Sequence, residues 1–306
     1  MRNLILGLGV QGTKRLAVAK DDVFATVDPN NEKASFKSLY EVPLDAFDCA
    51  LVCTPEKEKI SLVKYLVKNK KHVLVEKPLF ADNHEELSEL VDLINENKTI
   101  CYTAYNHRFE PHFIKMKNLI HSGELGKIYN CRIFYGNGTA KLIKDSDWRD
   151  TGSGVLRDLG SHLLDTCRFW FGTKNFTFQK VYEKKFETKA PDHIIIHSSC
   201  NQINLQLEMS FCSWRNQFSC DLIAENGSAH IDSLCKWGPS KFTIRQRVFP
   251  AGKPVESEKI IRRNDPTWEL EYKYFSNLIA GKERTTLKND IWINKTLKDL
   301  GEPIVE

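Results

Sequence analysis

No basic tail, arginine-rich stripe or block of one charge sign runs through these 306 residues, whose 44 basic and 40 acidic side chains are interspersed. That weighs against nucleic acid and membrane surfaces as partners, because both select clustered positive charge. The longest basic run, Lys68-Asn69-Lys70-Lys71, reads as a solvated helix end. No apolar run reaches the roughly 20 residues of a membrane-spanning helix. No basic and apolar leader is read at the start, where Leu4 to Leu6 passes directly into glycines. Cysteine occurs nine times but never as a CxxC pair, and several copies lie in apolar runs such as Phe47-Asp48-Cys49-Ala50-Leu51-Val52-Cys53. Neither a zinc site nor a disulfide framework is indicated, no metal is expected, and small buried hydrophobes in a reducing, cytoplasmic protein account for the thiols. There is no internal repeat and no low-complexity tract.

What is present is enough apolar residue, 41% of the chain, to bury a substantial core, and enough length for two domains. Up to about residue 120, short continuous apolar runs alternate with helical patterns. Strands are predicted at Asn3 to Leu6, Val23 to Val27, Cys49 to Cys53, His72 to Val75 and Ile100 to Thr103, with helices at Glu56 to Lys68 and Asn83 to Asn95. Continuous hydrophobicity implies burial on both faces, as in a doubly wound parallel sheet. After a helix over Pro111 to Ser122 the period changes to two. Alternating strands are predicted at Lys127 to Tyr135, Phe176 to Phe186, His193 to Cys200, Asn204 to Cys212, Gln217 to Ala224 and Lys241 to Val248, with Asn226-Gly227 marking a hairpin. One helix, Val155 to Phe171, interrupts them, and helices at Thr267 to Leu278 and Ile291 to Leu300 close the chain. The expected fold class is α/β: an N-terminal Rossmann sheet over 1–120, then an α+β domain over 121–306 with a largely antiparallel open sheet.

Three segments carry chemistry. Gly7-Leu8-Gly9-Val10-Gln11-Gly12 follows an apolar strand and opens a helix, and Asp28 ends the next strand. Glycines permit a tight turn and close approach of a pyrophosphate to backbone NH groups at a helix N-terminus. Asp28 would accept hydrogen bonds from ribose hydroxyls and repel a 2′-phosphate, which favours NAD over NADP. The alternative is a glycine turn without ligand, with Asp28 capping a loop. Thr54-Pro55 and Glu76-Lys77-Pro78 end the third and fourth strands, where this architecture places its cofactor crevice. Pro78 restricts Lys77 to extended geometry, and an ammonium there could stabilise a developing alkoxide; a plain surface pair at a strand end is the alternative. In Gly152-Ser153-Gly154-Val155-Leu156-Arg157-Asp158-Leu159-Gly160-Ser161-His162-Leu163-Leu164-Asp165, the residues Asp158, His162 and Asp165 share one helix face. His162 suits the role of a base with a carboxylate to orient it, and a solvated stripe or a core histidine is the other reading.

These segments, together with Tyr105-Asn106-His107-Arg108-Phe109, resemble in content and order the glucose-fructose oxidoreductase / inositol dehydrogenase / MocA (Gfo/Idh/MocA) family, from residue 1 to about 172, with weaker agreement at Glu225-Asn226-Gly227-Ser228. The resemblance implies a Rossmann domain followed by an α/β domain whose open sheet makes oligomer contacts, hence a homodimer or homotetramer. It also implies a catalytic group that falls on Lys77, Asp158 and His162. One departure stands out: Lys59 lies four residues after Pro55, where the family commonly has histidine.

The expected function is an NAD-dependent oxidoreductase that moves a hydride between nicotinamide and a hydroxyl of a sugar, cyclitol or nucleotide-linked sugar. The cofactor-binding residues are Gly7, Gly9, Val10, Gln11, Gly12, Asp28, Thr54, Pro55, Glu76 and Lys77, and Arg108, Trp148 and Arg149 are substrate-side candidates. Two alternatives are a glycosidase or lyase using transient oxidation by NAD, and a non-catalytic NAD-binding protein.

Overall fold

A computed structural model gives the fold and describes residues 1–81, 83–146, 149–172, 176–200 and 203–301. The helices are α1 (Val10–Ala19), α2 (Glu56–Lys68), α3 (His84–Asn97), α4 (Pro111–Ser122), the single turn α5 (Ala140–Ile143), α6 (Ser161–Phe171), α7 (Thr267–Ile279) and α8 (Lys288–Gly301). The chain forms two compact units, one comprising Met1–Asn106 with Thr267–Lys295, the other His107–Pro266 with the chain from Thr296.

In the first unit β1 (Asn3–Leu6), β2 (Val23–Val27), β3 (Cys49–Val52), β4 (His72–Glu76) and β5 (Cys101–Ala104) pair in parallel, in the order β2-β1-β3-β4-β5. Every residue of β1, β3 and β5 is buried, as a parallel sheet covered on both faces requires. Alternate residues serve two cores. Leu4, Leu6, Ala50, Val52, Val73 and Val75 join Val63, Leu66 and Val67 of α2 and Leu87 and Leu90 of α3. Ile5, Leu51, Leu74 and Tyr102 join Phe275 and Leu278 of α7.

That last contact belongs to a compact unit that does not follow the expected boundary at residue 120. The segment between β2 and β3 is lean, holding a single bridge from Phe36 to Val27 and short 3₁₀ turns at Leu39–Glu41 and Leu44–Ala46. The face carrying Ile5 and Leu51 is completed by α7, which sequence order assigns to the C-terminal half. Conversely, α4 belongs to the second unit, where Phe113 meets Trp170 of α6 at 5.1 Å between ring centroids and accepts its indole NH through the Phe113 carbonyl.

The second unit is built on β6 (Ile128–Gly136), β7 (Gln179–Lys184), β8 (His193–Cys200), β9 (Ile203–Ser210), β10 (Gln217–Ala224), β11 (Gly227–Asp232), β12 (Ser240–Val248) and β13 (Gly252–Ile261). Their order is β13-β12-β11-β10-β6-β9-β8-β7, antiparallel except for the parallel pair β6 and β9. Alternation of burial along β9 shows one buried face and one half-buried face. The strand expected over Phe176 to Phe186 is shorter, and β13 has no counterpart among the expected strands. Almost every β13 residue is exposed, so no apolar alternation marks it.

The helix expected from Val155 to Phe171 is interrupted. Leu156–Gly160 forms a π-helical turn before α6 begins. Gly160 lies in this wide turn where a Cβ would come within 2.9 Å of both Leu156 Cδ1 and Met209 Sδ, so glycine lets the turn lie flat on β9.

Candidate active site

The first unit holds a glycine turn with little room for side chains. Gly7 adopts φ +87°, and a Cβ there would lie 2.9 Å from the Cys53 carbonyl oxygen. A Cβ on Gly12 would lie 1.8 Å from the Gly7 carbonyl oxygen, so the helix can leave the turn this closely only without a side chain. Nothing stands within 4 Å of the corresponding point on Gly9, and Val10 and Gln11 are exposed. Backbone can therefore approach a phosphate at Gly9, at the N-terminus of α1.

Asp28 is engaged locally. Its Oδ2 accepts from Leu8 NH at 2.7 Å, and its Oδ1 accepts from Asn30 and Asn31 NH at 2.9 and 3.0 Å. Partial burial pushes the carboxyl up, but these three donors outweigh it and hold the group below its usual range. Loop capping is thus real, and an ionised carboxylate still has lone pairs for ribose hydroxyls. Thr54 Oγ1 is buried without a hydrogen-bond partner among the described residues, beside Pro55 at the N-cap of α2. An unsatisfied buried hydroxyl at the end of β3 fits a site completed by a polar ligand. The glycine turn and this hydroxyl together fit a nicotinamide dinucleotide held by Gly7 to Gly12, Asp28 and Thr54.

At the end of β4 lies the Glu76-Lys77-Pro78 turn, its Lys77-Pro78 peptide cis. Glu76 faces inward: its Oε1 accepts from Arg15 at 2.7 Å, and Arg15 also donates to Glu271 of α7 at 2.6 Å. Arg15 is 1% exposed and stacks on Trp268, 4.4 Å from the ring centroid. Burial pushes Glu271 up to about 7 against the pull of this guanidinium. The Glu76 carboxylate is thereby committed to a buried ion cluster. Arg15 is a residue that the motifs alone do not single out, although its spacing with Gly12 and Ala19 on the buried face of α1 is a legible signal.

Lys59 occupies the interior beneath the same turn. It is 3% exposed, and its Nζ donates to the Glu76 carbonyl at 2.8 Å and the Pro78 carbonyl at 3.1 Å. Burial lowers its ammonium to about 8, with Glu56 and Glu76 opposing that shift. One lysine thus holds the two carbonyls that flank Lys77, which is itself half-buried.

The second unit carries the imidazole. His162 lies in the first turn of α6, 8% exposed, with Asp158 in the preceding π turn. Gly152 and Gly154 precede them at φ +58° and +48°, and a Cβ on Gly154 would strike the Pro191 carbonyl at 2.1 Å. Asp158 pairs with Arg149 at 3.0 Å. Arg108 binds Asp165 in two-pronged fashion, its Nε donating to Oδ2 at 2.9 Å. Both arginines are therefore tied to carboxylates of the histidine-bearing segment, and Trp148 lies outside the described residues. Burial, with Asp158 adding to it, pushes the Tyr135 phenol above its ordinary value, so it stays a neutral donor. Two residues beside His162 have no role assigned from sequence: His107, whose ring stacks on it, and Lys236, which reaches His107. His107 lies in the Tyr105 to Phe109 segment, whereas no local signal marks Lys236.

Among the described residues no group of three or more His, Cys, Asp or Glu side chains is placed to hold a metal ion, and no helix is long and apolar enough to cross a membrane. Comparison with known proteins identifies the family of both parts of the chain. Residues 1–105 match the oxidoreductase family with an NAD-binding Rossmann fold, and residues 113–230 match the Gfo/Idh/MocA C-terminal domain. An uncharacterized oxidoreductase of Schizosaccharomyces pombe is 29% identical over 196 residues, covering 61% of this chain and 52% of that protein. Myo-inositol 2-dehydrogenase of Thermotoga maritima is 26% identical over 188 residues, covering 56% of this chain and 55% of its own. The chain thus spans about half the length of these curated relatives. The fold as a whole matches a levoglucosan dehydrogenase solved with NADH, at TM-score 0.81 and 16% identity over 98% of this chain and 96% of the other.

Proposed function

The chain belongs to the Gfo/Idh/MocA family of oxidoreductases, and from that premise we propose that it is an NAD-dependent dehydrogenase acting on a secondary hydroxyl of a sugar, cyclitol or nucleotide-linked sugar. The observation that carries the reading is the turn at the head of α1, open above Gly9 and closed against any side chain at Gly12, with the unsatisfied Thr54 hydroxyl at the end of β3. Bound NAD supplies the hydride acceptor. His162 takes the hydroxyl proton, Lys77 holds the oxygen as negative charge develops on it, and Asp158 positions these groups. The named relatives support a carbohydrate substrate, since one is an inositol dehydrogenase and another acts on levoglucosan. A homodimer or homotetramer formed through the open sheet is the proposed assembly, in the cytoplasm.

The test is a panel of sugars, cyclitols and nucleotide sugars read at once for NADH absorbance and for leaving-group release. At least one polyol is expected to give NADH with no leaving group, and His162→Ala should lower kcat by a factor of about 100 or more while NAD affinity stays the same. Leaving-group release with no net NADH would replace this reading with transient-oxidation chemistry. NAD binding without turnover of any panel member would replace it with a non-catalytic role. Direct titration should show NAD bound more tightly than NADP, and a clear preference for NADP would remove Asp28 from the ribose role.

A further inference from the structure

His162 shares its surroundings with a second imidazole. The rings of His107 and His162 are 4.1 Å apart between centroids and inclined by only 19°, so they stack face to face. Tyr135 closes the edge of both, at 5.4 Å from His107 and 5.9 Å from His162. His107 is 2% exposed, which removes bulk water from the pair.

Lys236 decides the state of the inner ring. Its Nζ lies 3.2 Å from His107 Nε2. An ammonium only donates, so Nε2 must present a lone pair, and a ring that accepts there is neutral with its proton on Nδ1. Lys236 is itself held in place. Its ammonium lies 4.7 Å from the Trp237 ring centroid, and the preceding Cys235 donates to Glu110 through its backbone NH at 3.1 Å and its thiol at 2.9 Å. Burial pushes the Cys235 thiol up to about 12, so it remains a donor to that carboxylate.

We propose that His107 is a positioning residue for His162: a neutral aromatic plate, kept uncharged by Lys236, against which His162 alone can carry a proton. Two imidazolium rings stacked at this distance would repel, so a His107 free to charge would compete with His162 for one proton. With Nε2 of His107 engaged by Lys236, His107 does not compete with His162 for the transferred proton, and the uncharged ring face attracts the cation that forms. Among the described residues of this unit, the charged or titratable groups around the pair include Asp158 and Asp165, tied to Arg149 and Arg108, the Tyr135 phenol, and the Glu110 and Cys235 pair with Asp265 nearby.

The proposal rests on His162 being the base, and the experiment separates the two. In protein carrying 15N-labelled histidine, with no cofactor or substrate, ring NMR should show His107 neutral and protonated at Nδ1 from about pH 5.5 to about pH 8.5, and titrating in Lys236→Met. A His107 that is charged, or protonated at Nε2, in the unsubstituted protein overturns the proposal whatever the activity data say. With a polyol from the panel, His107→Leu should lower kcat about tenfold with KM little changed, whereas His107→Phe, which keeps a ring face, should recover most of that loss. Equal loss in both variants means simple packing and sinks the idea. A fully active His162→Ala would instead defeat the base assignment and leave the NMR result standing.

Discussion

At the scale of single residues, the most consequential placement is Lys59, a cation buried to hold two carbonyls. Its folded value of about 8 lies below the ordinary 10.5, so the unfolded chain binds more protons between those limits. Below pH 8 both states are charged and the folded state bears the full desolvation cost, about 3 kcal/mol; above that the cost is relieved as pH rises. Stability from this group therefore increases with pH through that window. Denaturant unfolding of the native protein and of Lys59→Met, measured at about pH 7.5 and again at about pH 9.5, should show the difference moving by roughly 2 kcal/mol in favour of lysine. A neutral amine retains two NH donors, so both carbonyls remain satisfied across the range. The sequence marks Lys59 only as a departure from a family pattern, because one lysine among many gives no sign of burial. Arg108 and Arg149 illustrate the converse: both are legible as candidates, yet their ion pairs to Asp165 and Asp158 depend on the folded helix.

At the scale of elements, β1 to β5 are legible within about a residue because a strand covered on both faces is mostly apolar along its length. The outer hairpin β12 to β13 is only half legible, since an exposed edge strand such as Gly252–Ile261 is under no such constraint and carries charged cross-strand pairs like Arg245 with Glu256. The π turn at Leu156–Gly160 is invisible for a different reason: helical periodicity places Asp158 and His162 on one side either way, and only packing of Gly160 against Met209 distinguishes the two. The glycine turn is legible in its geometry. Gly12→Ala forces a Cβ into the Gly7 carbonyl, which is backbone and cannot swing aside. NAD binding by calorimetry should fall by a factor of about 100 or more, while far-ultraviolet circular dichroism changes little.

At the scale of the whole molecule, the chain order of the parts differs from their spatial grouping. The compact units do not follow the expected split near residue 120, since one face of the first sheet is covered by α7, through Phe275, Leu278 and the Glu271 partner of Arg15. Sequence patterning reports that a helix has an apolar face but not which sheet it covers. A fragment of Met1–Asn106 therefore lacks the cover for Ile5, Leu51 and Leu74 and leaves Arg15 without Glu271. It should be aggregation-prone and should bind hydrophobic dyes, whereas a polypeptide in which a flexible linker joins it to Thr267–Lys295 should unfold cooperatively; dye fluorescence and denaturant titration distinguish the two.

Because α7 is threaded back from beyond residue 266, the region His107–Pro266 is in effect a long insertion into its neighbour. A ribosome therefore releases Met1–Asn106 early but withholds α7 and the start of α8, which complete the same unit, until residues 107–266 have been made. Throughout that interval the nascent chain displays a parallel sheet with one face uncovered, an aggregation-prone surface set by the route of the backbone itself.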